Sequence, residues 1–141
     1  MKPAPGLSIE QQPDDVVLAM CLYGEARGES ALGKLAVAWV VKNRAVKNGT
    51  TFKQECLRPA QFSSFNLIDV NRARLLLAYK NDPSSWARCE TIVELLPYTT
   101  DPTHGADHYY AFDSVTPAWG RGNPAWLETT EIGAHVFGNT A

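Results

Sequence analysis

The segment that begins at Asp14 most constrains the fold, because its residues from Val16 to Tyr23 are all apolar. A helix that is apolar on every side is stable only when other elements enclose it. The chain must therefore build a helical core around this segment. Pro13 is predicted as the first helical residue, and Asp14 and Asp15 complement the positive helix N-terminus.

Length and composition set the class of protein. The chain has 141 residues, 45% of them hydrophobic, which suits one compact domain. We expect a flexible tail over residues 1–7 and a single domain over residues 8–141. The net charge of −2 gives no indication of nucleic-acid binding, and no apolar run approaches the roughly 20 residues that a membrane span requires. Stable membrane insertion is therefore not expected.

Cysteine usage and the first residues add two expectations. The three cysteines have no metal-ligand spacing, so we interpret them as buried apolar residues and expect neither a metal nor another cofactor. The first residues lack the apolar region of a secretory signal. The sequence therefore predicts a protein that stays in the cytoplasm of the cell that makes it.

The remaining patterns predict a mainly helical α+β domain with a small antiparallel sheet. In chain order they are a central helix from Ala31 to Lys47 capped by Ser30, a helix from Asn71 to Lys80, a helix from Trp86 to Leu96, a strand from Ala106 to Phe112, and a last strand from Thr129 to Phe137, either regular or with a bulge at Gly133. A basic face on the central helix, formed by Lys42, Arg44 and Lys47, is interpreted as solvated.

Glu25 is the candidate catalytic residue, because it closes the apolar helix. On a helical period its side chain lies over Leu18, Cys21 and Leu22, and Gly28 then ends the helix. Apolar surroundings and the negative end of the helix dipole both disfavour ionisation, so we expect a raised pKa for Glu25. A carboxyl group that keeps its proton near neutral pH can serve as a general acid.

A second carboxylate would be needed for ordinary glycoside hydrolysis. Glu29 is the nearest candidate, and Asp101, Asp107 and Glu131 are the others. A mechanism with a single acid avoids this requirement.

Loops rich in aromatic and amide side chains favour a carbohydrate substrate, since sugar rings stack on aromatic faces and amides bind hydroxyl groups. The candidate substrate-binding residues are Gln61, Phe62, Ser63, His108, Tyr109, Tyr110 and Trp119.

Two other kinds of protein remain open from the residues alone. One is a zinc amidase that uses His104, His108 and His135, although the chain has no HExxH motif. The other is a glycan-binding module without catalytic activity.

Several blocks of the sequence, in the same order, resemble the SleB/CwlJ-type cell wall hydrolases, which include spore-cortex-lytic enzymes and phage endolysins. The blocks are Tyr23-Gly24-Glu25-Ala26-Arg27-Gly28-Glu29, residues 33–44, Pro59-Ala60-Gln61-Phe62-Ser63, residues 101–106 with Tyr109-Tyr110, Pro117-Ala118-Trp119, and residues 132–137. Gly138 departs from the family pattern, which usually has an aromatic residue there, and the segment 120–126 is lengthened.

The resemblance implies a lysozyme-like fold, a catalytic domain over residues 8–141, peptidoglycan glycan strands as substrate, and Glu25 as the catalytic acid. We further expect that Arg27 and Glu29 support the turn after Glu25, and that Asp101 and His135 have structural roles. The family often acts by lytic transglycosylation. We expect a monomeric phage endolysin, made in the host cytoplasm and released to the periplasmic wall by a holin, with a separately exported bacterial enzyme as the alternative.

Overall fold

The computed structural model describes residues 1–58, 62, 65 and 72–140. Its regular elements are α1 (Asp14–Ala26), α2 (Ala31–Asn48), α3 (Phe52–Cys56), α4 (Arg72–Leu75), α5 (Ala78–Asn81), α6 (Pro83–Leu95), β1 (His108–Ala111), β2 (Trp126–Ile132) and β3 (His135–Thr140), with short 3-10 turns at Ile9–Gln11 and Leu96–Tyr98. No helix in these ranges is long and apolar enough to cross a bilayer.

Helix α1 is the buried centre that the sequence predicts. Every residue from Val16 to Tyr23 is buried, and α2, α3 and α6 pack around the helix. Pro13 is the residue before the first helical one, with an extended ψ of 152°, and not the first helical residue as predicted. The cysteines are all free and buried, as expected.

Helix α2 begins and ends where the sequence indicates. The Ser30 hydroxyl accepts a hydrogen bond from the Gly33 amide at 3.1 Å, which caps the N-terminus. Gly49 follows the last turn with φ of 64°, a left-handed conformation that glycine adopts at little cost. The helix packs against both the helical core and the sheet, so it joins the two parts of the domain.

The predicted helix from Asn71 to Lys80 is wrong as a single element. Two short helices, α4 and α5, are separated at Leu76 and Leu77, where the Leu77 amide bonds to the Arg74 carbonyl in a tighter turn. The break buries Leu75 and Ala78 and leaves Leu77 exposed. Tertiary burial of these positions therefore prevails over helix propensity.

Helix α6 starts earlier than predicted. Pro83 is its first residue, because a missing amide hydrogen costs nothing in the first turn of a helix. Trp86 is buried in the core, and its indole donates to the Met1 carbonyl.

The sheet is antiparallel with strand order β1-β3-β2. The predicted last strand is in fact a hairpin, since Gly133 has φ of 56° and lies in the turn between β2 and β3. The irregular pairing lies between Glu128 and Thr130 and not at Gly133. A positive φ at glycine reverses the chain as easily as it forms a bulge, and the sequence could not separate the two.

The prediction of a solvated basic face on α2 is wrong for Arg44. Its side chain is buried, 8% exposed, and its Nε donates to the Asp107 carbonyl at 2.5 Å. Lys47 forms an ion pair with the Asp107 carboxylate at 2.8 Å. Arg44 and Lys47 therefore fix the position of the segment that leads into β1, through their contacts with Asp107.

The first residues are packed against the domain. The Met1 ammonium lies 2.8 Å from the Glu90 carboxylate, and the buried Gln12 side chain bonds to Ala4 and Leu7. Flexibility of residues 1–7 in solution stays a prediction.

Candidate active site

Glu25 lies in the last turn of α1 and is half-buried. Its charge is close enough to Tyr109 on β1 and to Cys21 on its own helix to raise the pKa of each, in addition to the larger effect of burial. Glu25 therefore lies where the end of the buried helix approaches the sheet.

Tyr109 faces the helices from β1. Its ring is half-buried and contacts Phe62, His135 and Phe137, while burial of its hydroxyl raises its pKa well above the usual value. Phe62 is 3% exposed and packs against the Tyr109 ring from the core side. Of the predicted substrate-binding residues, these two share the Glu25 side of the sheet.

The other predicted aromatic residues lie on the opposite face of β1, because successive strand residues alternate between faces. His108 and Tyr110 contact Trp119 at centroid distances of 4.9 and 5.7 Å, and Trp126 completes the cluster at 5.5 Å from Trp119. The structure therefore divides the predicted substrate-binding set into two groups. Gln61 and Ser63 lie outside the described residues.

Glu29 points towards the sheet hairpin. Its Oε1 lies 2.9 Å from His135 Nδ1, and neither atom has another hydrogen-bond partner among the described residues. Burial lowers the pKa of His135, against the opposing charges of Glu29 and Asp113. Glu29 therefore connects the turn after α1 to β3.

Lys34 supports the same turn and was missed by sequence reasoning. It is 3% exposed, and its ammonium group donates to the Glu29 carbonyl at 2.5 Å and to the Arg27 carbonyl at 3.1 Å. A cation suits the negative end of α1. The sequence feature that could have indicated this role is a lysine at the start of an apolar helical face, close in sequence to the end of the preceding helix.

Arg27 is exposed and lies over the Tyr23 ring, with its Cζ 5.0 Å from the centroid. The Tyr23 hydroxyl donates to Asp82 at 3.0 Å, which ties α1 to the start of α6. This hydrogen bond is the main reason for the lowered pKa of Asp82.

Asp101 organises the loop before β1. Its carboxylate accepts hydrogen bonds from the side chain of Asn43 and from the backbone amides of Thr103 and Gly105, at 2.8–2.9 Å. Burial alone would raise its pKa, but the hydrogen bonds outweigh burial and lower it.

Asp107 and Glu131 are likewise held by neighbouring side chains. Asp107 is buried and pairs with Lys47 and His108, and Glu131 pairs with Arg121 on the surface. Each predicted alternative to Glu29 as second acid thus already has a structural partner.

A metal site is not apparent in the described part of the chain. No group of three or more histidine, cysteine, aspartate or glutamate side chains there is arranged to hold an ion. His104 is exposed on the loop before β1, whereas His135 is buried beside Glu29.

Comparison with known sequences decides the family. The family model described as Cell Wall Hydrolase matches residues 28–138. The chain belongs to the cell wall hydrolase family. The matched range begins after Glu25 and Arg27, so it does not by itself test their roles. The resemblance in the sequence blocks is confirmed at the level of the family.

The curated relatives are longer proteins. The spore cortex-lytic enzyme of Halalkalibacterium halodurans is 31% identical over 126 residues, which cover 89% of this chain and 34% of that enzyme. The spore cortex-lytic enzyme of Bacillus subtilis is 30% identical over 121 residues, which cover 86% of this chain and 36% of that enzyme. The chain thus spans about a third of the length of these two relatives.

A solved structure supports the architecture. The catalytic domain of the germination-specific lytic transglycosylase SleB from Bacillus anthracis matches with a TM-score of 0.69 and 26% identity, covering 96% of this chain and 98% of that domain. The catalytic domain of Bacillus cereus SleB matches with a TM-score of 0.68. The predicted lysozyme-like, mainly helical α+β fold with a small antiparallel sheet is confirmed.

Proposed function

We propose that this chain is a peptidoglycan-degrading enzyme that cuts the glycan backbone between N-acetylmuramic acid and N-acetylglucosamine. The observation that carries the proposal is the likeness, over nearly the whole chain, to a solved catalytic domain named as a lytic transglycosylase. The position of Glu25, half-buried where α1 approaches Tyr109 on the sheet, supports its role as the acid.

Glu25 then has two tasks. As a carboxylic acid it donates a proton to the glycosidic oxygen that leaves as the C1–O bond breaks. The resulting carboxylate accepts the proton of the muramyl 6-hydroxyl group as that oxygen forms a bond to C1, which restores the acid. The product has a 1,6-anhydro ring and no water is consumed. Hydrolysis needs a second carboxylate, and each candidate for that role already has a partner within the protein. The candidates are Glu29, Asp101, Asp107 and Glu131, and their engagement supports the single-acid route.

Mass spectrometry of digested sacculi tests the reaction. We expect soluble muropeptides with anhydro ends. Reducing sugar ends would instead indicate a muramidase, freed peptides an amidase, and binding without soluble products a glycan-binding module. Either of the last two results would refute the proposal.

The role of Glu25 is tested by Glu25→Gln, which removes the transferable proton and keeps the size of the side chain. We expect loss of wall clearing by at least about 100-fold, the lower end of the usual contribution of general acid catalysis, with little change in thermal stability. Glu94→Gln, an exposed glutamate on α6, serves as the matched control. Full activity in Glu25→Gln would remove this assignment.

We also propose that the enzyme acts as a monomeric phage endolysin that lyses the host cell. The protein would accumulate in the host cytoplasm and reach the periplasmic wall through a holin. Expression with and without a holin tests this role, and lysis should require both proteins. Lysis without a holin would favour the bacterial enzyme with its own export route.

A further inference from the structure

A small polar cavity lies where the end of α2 meets the start of β1. Its volume is about 190 Å³, and its walls include Arg44 from α2, Glu55 from α3 and His108 from β1. Neither Glu25 nor Tyr109 is among the described residues that line it. The groups that this cavity offers to a ligand are therefore other than those of the candidate active site.

Two charged side chains of the cavity each keep one buried polar atom without a hydrogen-bond partner among the described residues. Arg44 is 8% exposed, and its Nε donates to the Asp107 carbonyl, whereas its Nη1 has no acceptor. Glu55 is 1% exposed, and its Oε2 accepts three hydrogen bonds from neighbouring side chains, whereas its Oε1 has no donor. Buried polar atoms in folded proteins nearly always have a partner. The cavity therefore has one spare donor and one spare acceptor.

The two spare atoms belong to groups of opposite charge. Burial lowers the pKa of Arg44, and nearby charges that include Glu55 act against this effect. Burial alone would raise the pKa of Glu55, but hydrogen bonds from Thr50, Arg58 and Asn48 outweigh it and keep that pKa below its usual value. A ligand in the cavity therefore meets both a cation and an ionised carboxylate.

The other charged groups of the cavity are paired within the protein. Lys47 and His108 both contact the Asp107 carboxylate, and Arg58 contacts Glu55, at 2.8–2.9 Å. A bound anion would place its charge against the ionised Glu55. A neutral secondary amide suits the cavity better, because it has one C=O acceptor and one N–H donor.

An aromatic surface adjoins the cavity. His108 lines the cavity and contacts Trp119, with ring centroids 4.9 Å apart and an angle of 61° between the ring planes. The Trp119 side chain is half-buried, so part of it is open to solvent. Since sugar rings pack on aromatic surfaces, a pyranose ring on Trp119 would bring its substituents to the His108 side of the cavity.

We infer that this cavity binds the acetamido group of an N-acetylated sugar whose ring packs on Trp119. Arg44 Nη1 donates to the acetamido carbonyl, and Glu55 Oε1 accepts from the acetamido N–H. The choice of an N-acetylated sugar rests on the proposed function, since both sugars of that glycan carry this group. The cavity thus recognises the glycan through groups that take no part in breaking the bond.

The binding of two β-1,4-linked trisaccharides tests the inference. Tri-N-acetylchitotriose carries the acetamido groups, and cellotriose has hydroxyl groups in their place. Titrations followed by NMR signals of Arg44, His108 and Trp119 give both Kd values. We expect wild-type protein to bind the acetylated trimer at least about tenfold more tightly, the factor that corresponds to one hydrogen bond to a charged group.

The variant Glu55→Gln isolates the acceptor. Because three donors hold Oε2, the amide oxygen takes that place, and the NH2 group replaces Oε1 and faces the acetamido N–H as a second donor. The preference for the acetylated trimer should fall to about threefold or less. Trp119→Ala should weaken the binding of both trimers by the same factor and keep the preference. Glu94→Gln, an exposed glutamate on α6, should keep both Kd values.

Four results would overturn the inference. They are equal Kd values of the two trimers for the wild type, an unchanged preference in a Glu55→Gln variant that melts like the wild type, sugar-induced shifts at Tyr109 without shifts at His108 and Trp119, and tighter binding of inorganic phosphate than of the acetylated trimer at Arg44. The wild-type comparison of the two trimers decides the matter even where Glu55→Gln does not fold.

The proposed function fails in a different way. A wild-type protein that shows the expected preference but releases no glycan fragments from sacculi would refute the proposed function and leave this binding site in place. Cleavage of sacculi together with equal Kd values would refute the binding site alone.

Discussion

Trp126 lies over Gly138 so closely that a Cβ atom added at Gly138 would be 2.5 Å from its ring carbon Cζ2. The indole comes from the neighbouring strand β2 and occupies the space above the glycine. A residue with a side chain at position 138 would therefore displace Trp126 or the backbone of β2.

Gly138→Ala should destabilise the sheet. The added methyl group would also lie 2.6 Å from the Leu127 carbonyl oxygen, so relief requires movement of the backbone as well as the ring. We expect the free energy of unfolding to fall by about 2–3 kcal/mol, as for an overpacked core. Urea unfolding measures the change. Gly28→Ala, where no atom lies within 4 Å of the new Cβ, should change stability by less than about 1 kcal/mol, and an equal loss in both variants would contradict the explanation.

Lys34→Met should loosen the turn that follows Glu25. The change removes two charged hydrogen bonds and leaves the carbonyls of Arg27 and Glu29 without their donor. We expect a loss of about 2 kcal/mol, in the range for hydrogen bonds to charged groups. Lys42→Met on the same helix is the control. Within the described part of the chain Lys42 makes a cation–π contact with the Trp39 ring, at 4.4 Å, and no ion pair, so it should contribute less than about 1 kcal/mol. Similar melting temperatures for the two variants would contradict the proposed role of Lys34 in stabilising the turn.

His135 should make stability depend on pH. Because burial lowers the pKa of His135 in the folded state, the unfolded chain binds this proton more tightly. The stabilisation from neutral, buried His135 is fully present above the ordinary histidine pKa of about 6.5. It is lost as pH falls through the lowered pKa, and the free energy of unfolding then changes by at most about 1.4 kcal/mol per pH unit.

His135→Gln should remove this part of the pH dependence. Chemical unfolding between about pH 5 and 7.5, around the ordinary histidine pKa, measures it. His104→Asn alters an exposed histidine and should keep the wild-type slope. The same slope in His135→Gln as in the wild type would show that another group is responsible.

Asp101→Ala should disorder the loop before β1. It removes the acceptor shared by the Asn43 side chain and the amides of Thr103 and Gly105. We expect the free energy of unfolding to fall by about 3 kcal/mol, because partly buried donors lose their partner. Amide hydrogen exchange should show the loss at residues 101–107, and Glu94→Ala should show none. Unchanged exchange in the loop would argue against this role of Asp101.

The sequence by itself determined the elements that depend on local signals. The apolar run before Tyr23 requires a buried helix, and Ser30 and Gly49 set the ends of α2 through hydrogen bonding and backbone conformation within a few residues. These signals, with the ordered family blocks, were sufficient to predict the fold and to single out Glu25 at the end of α1.

Only the tertiary structure decided which distant side chains meet. Glu29 faces His135, Arg44 is buried under the chain that enters β1, and Trp126 covers Gly138, none of which follows from periodicity. The physical reason is that a helical or strand period fixes the direction of a side chain relative to its own element, whereas its partner depends on how the elements pack.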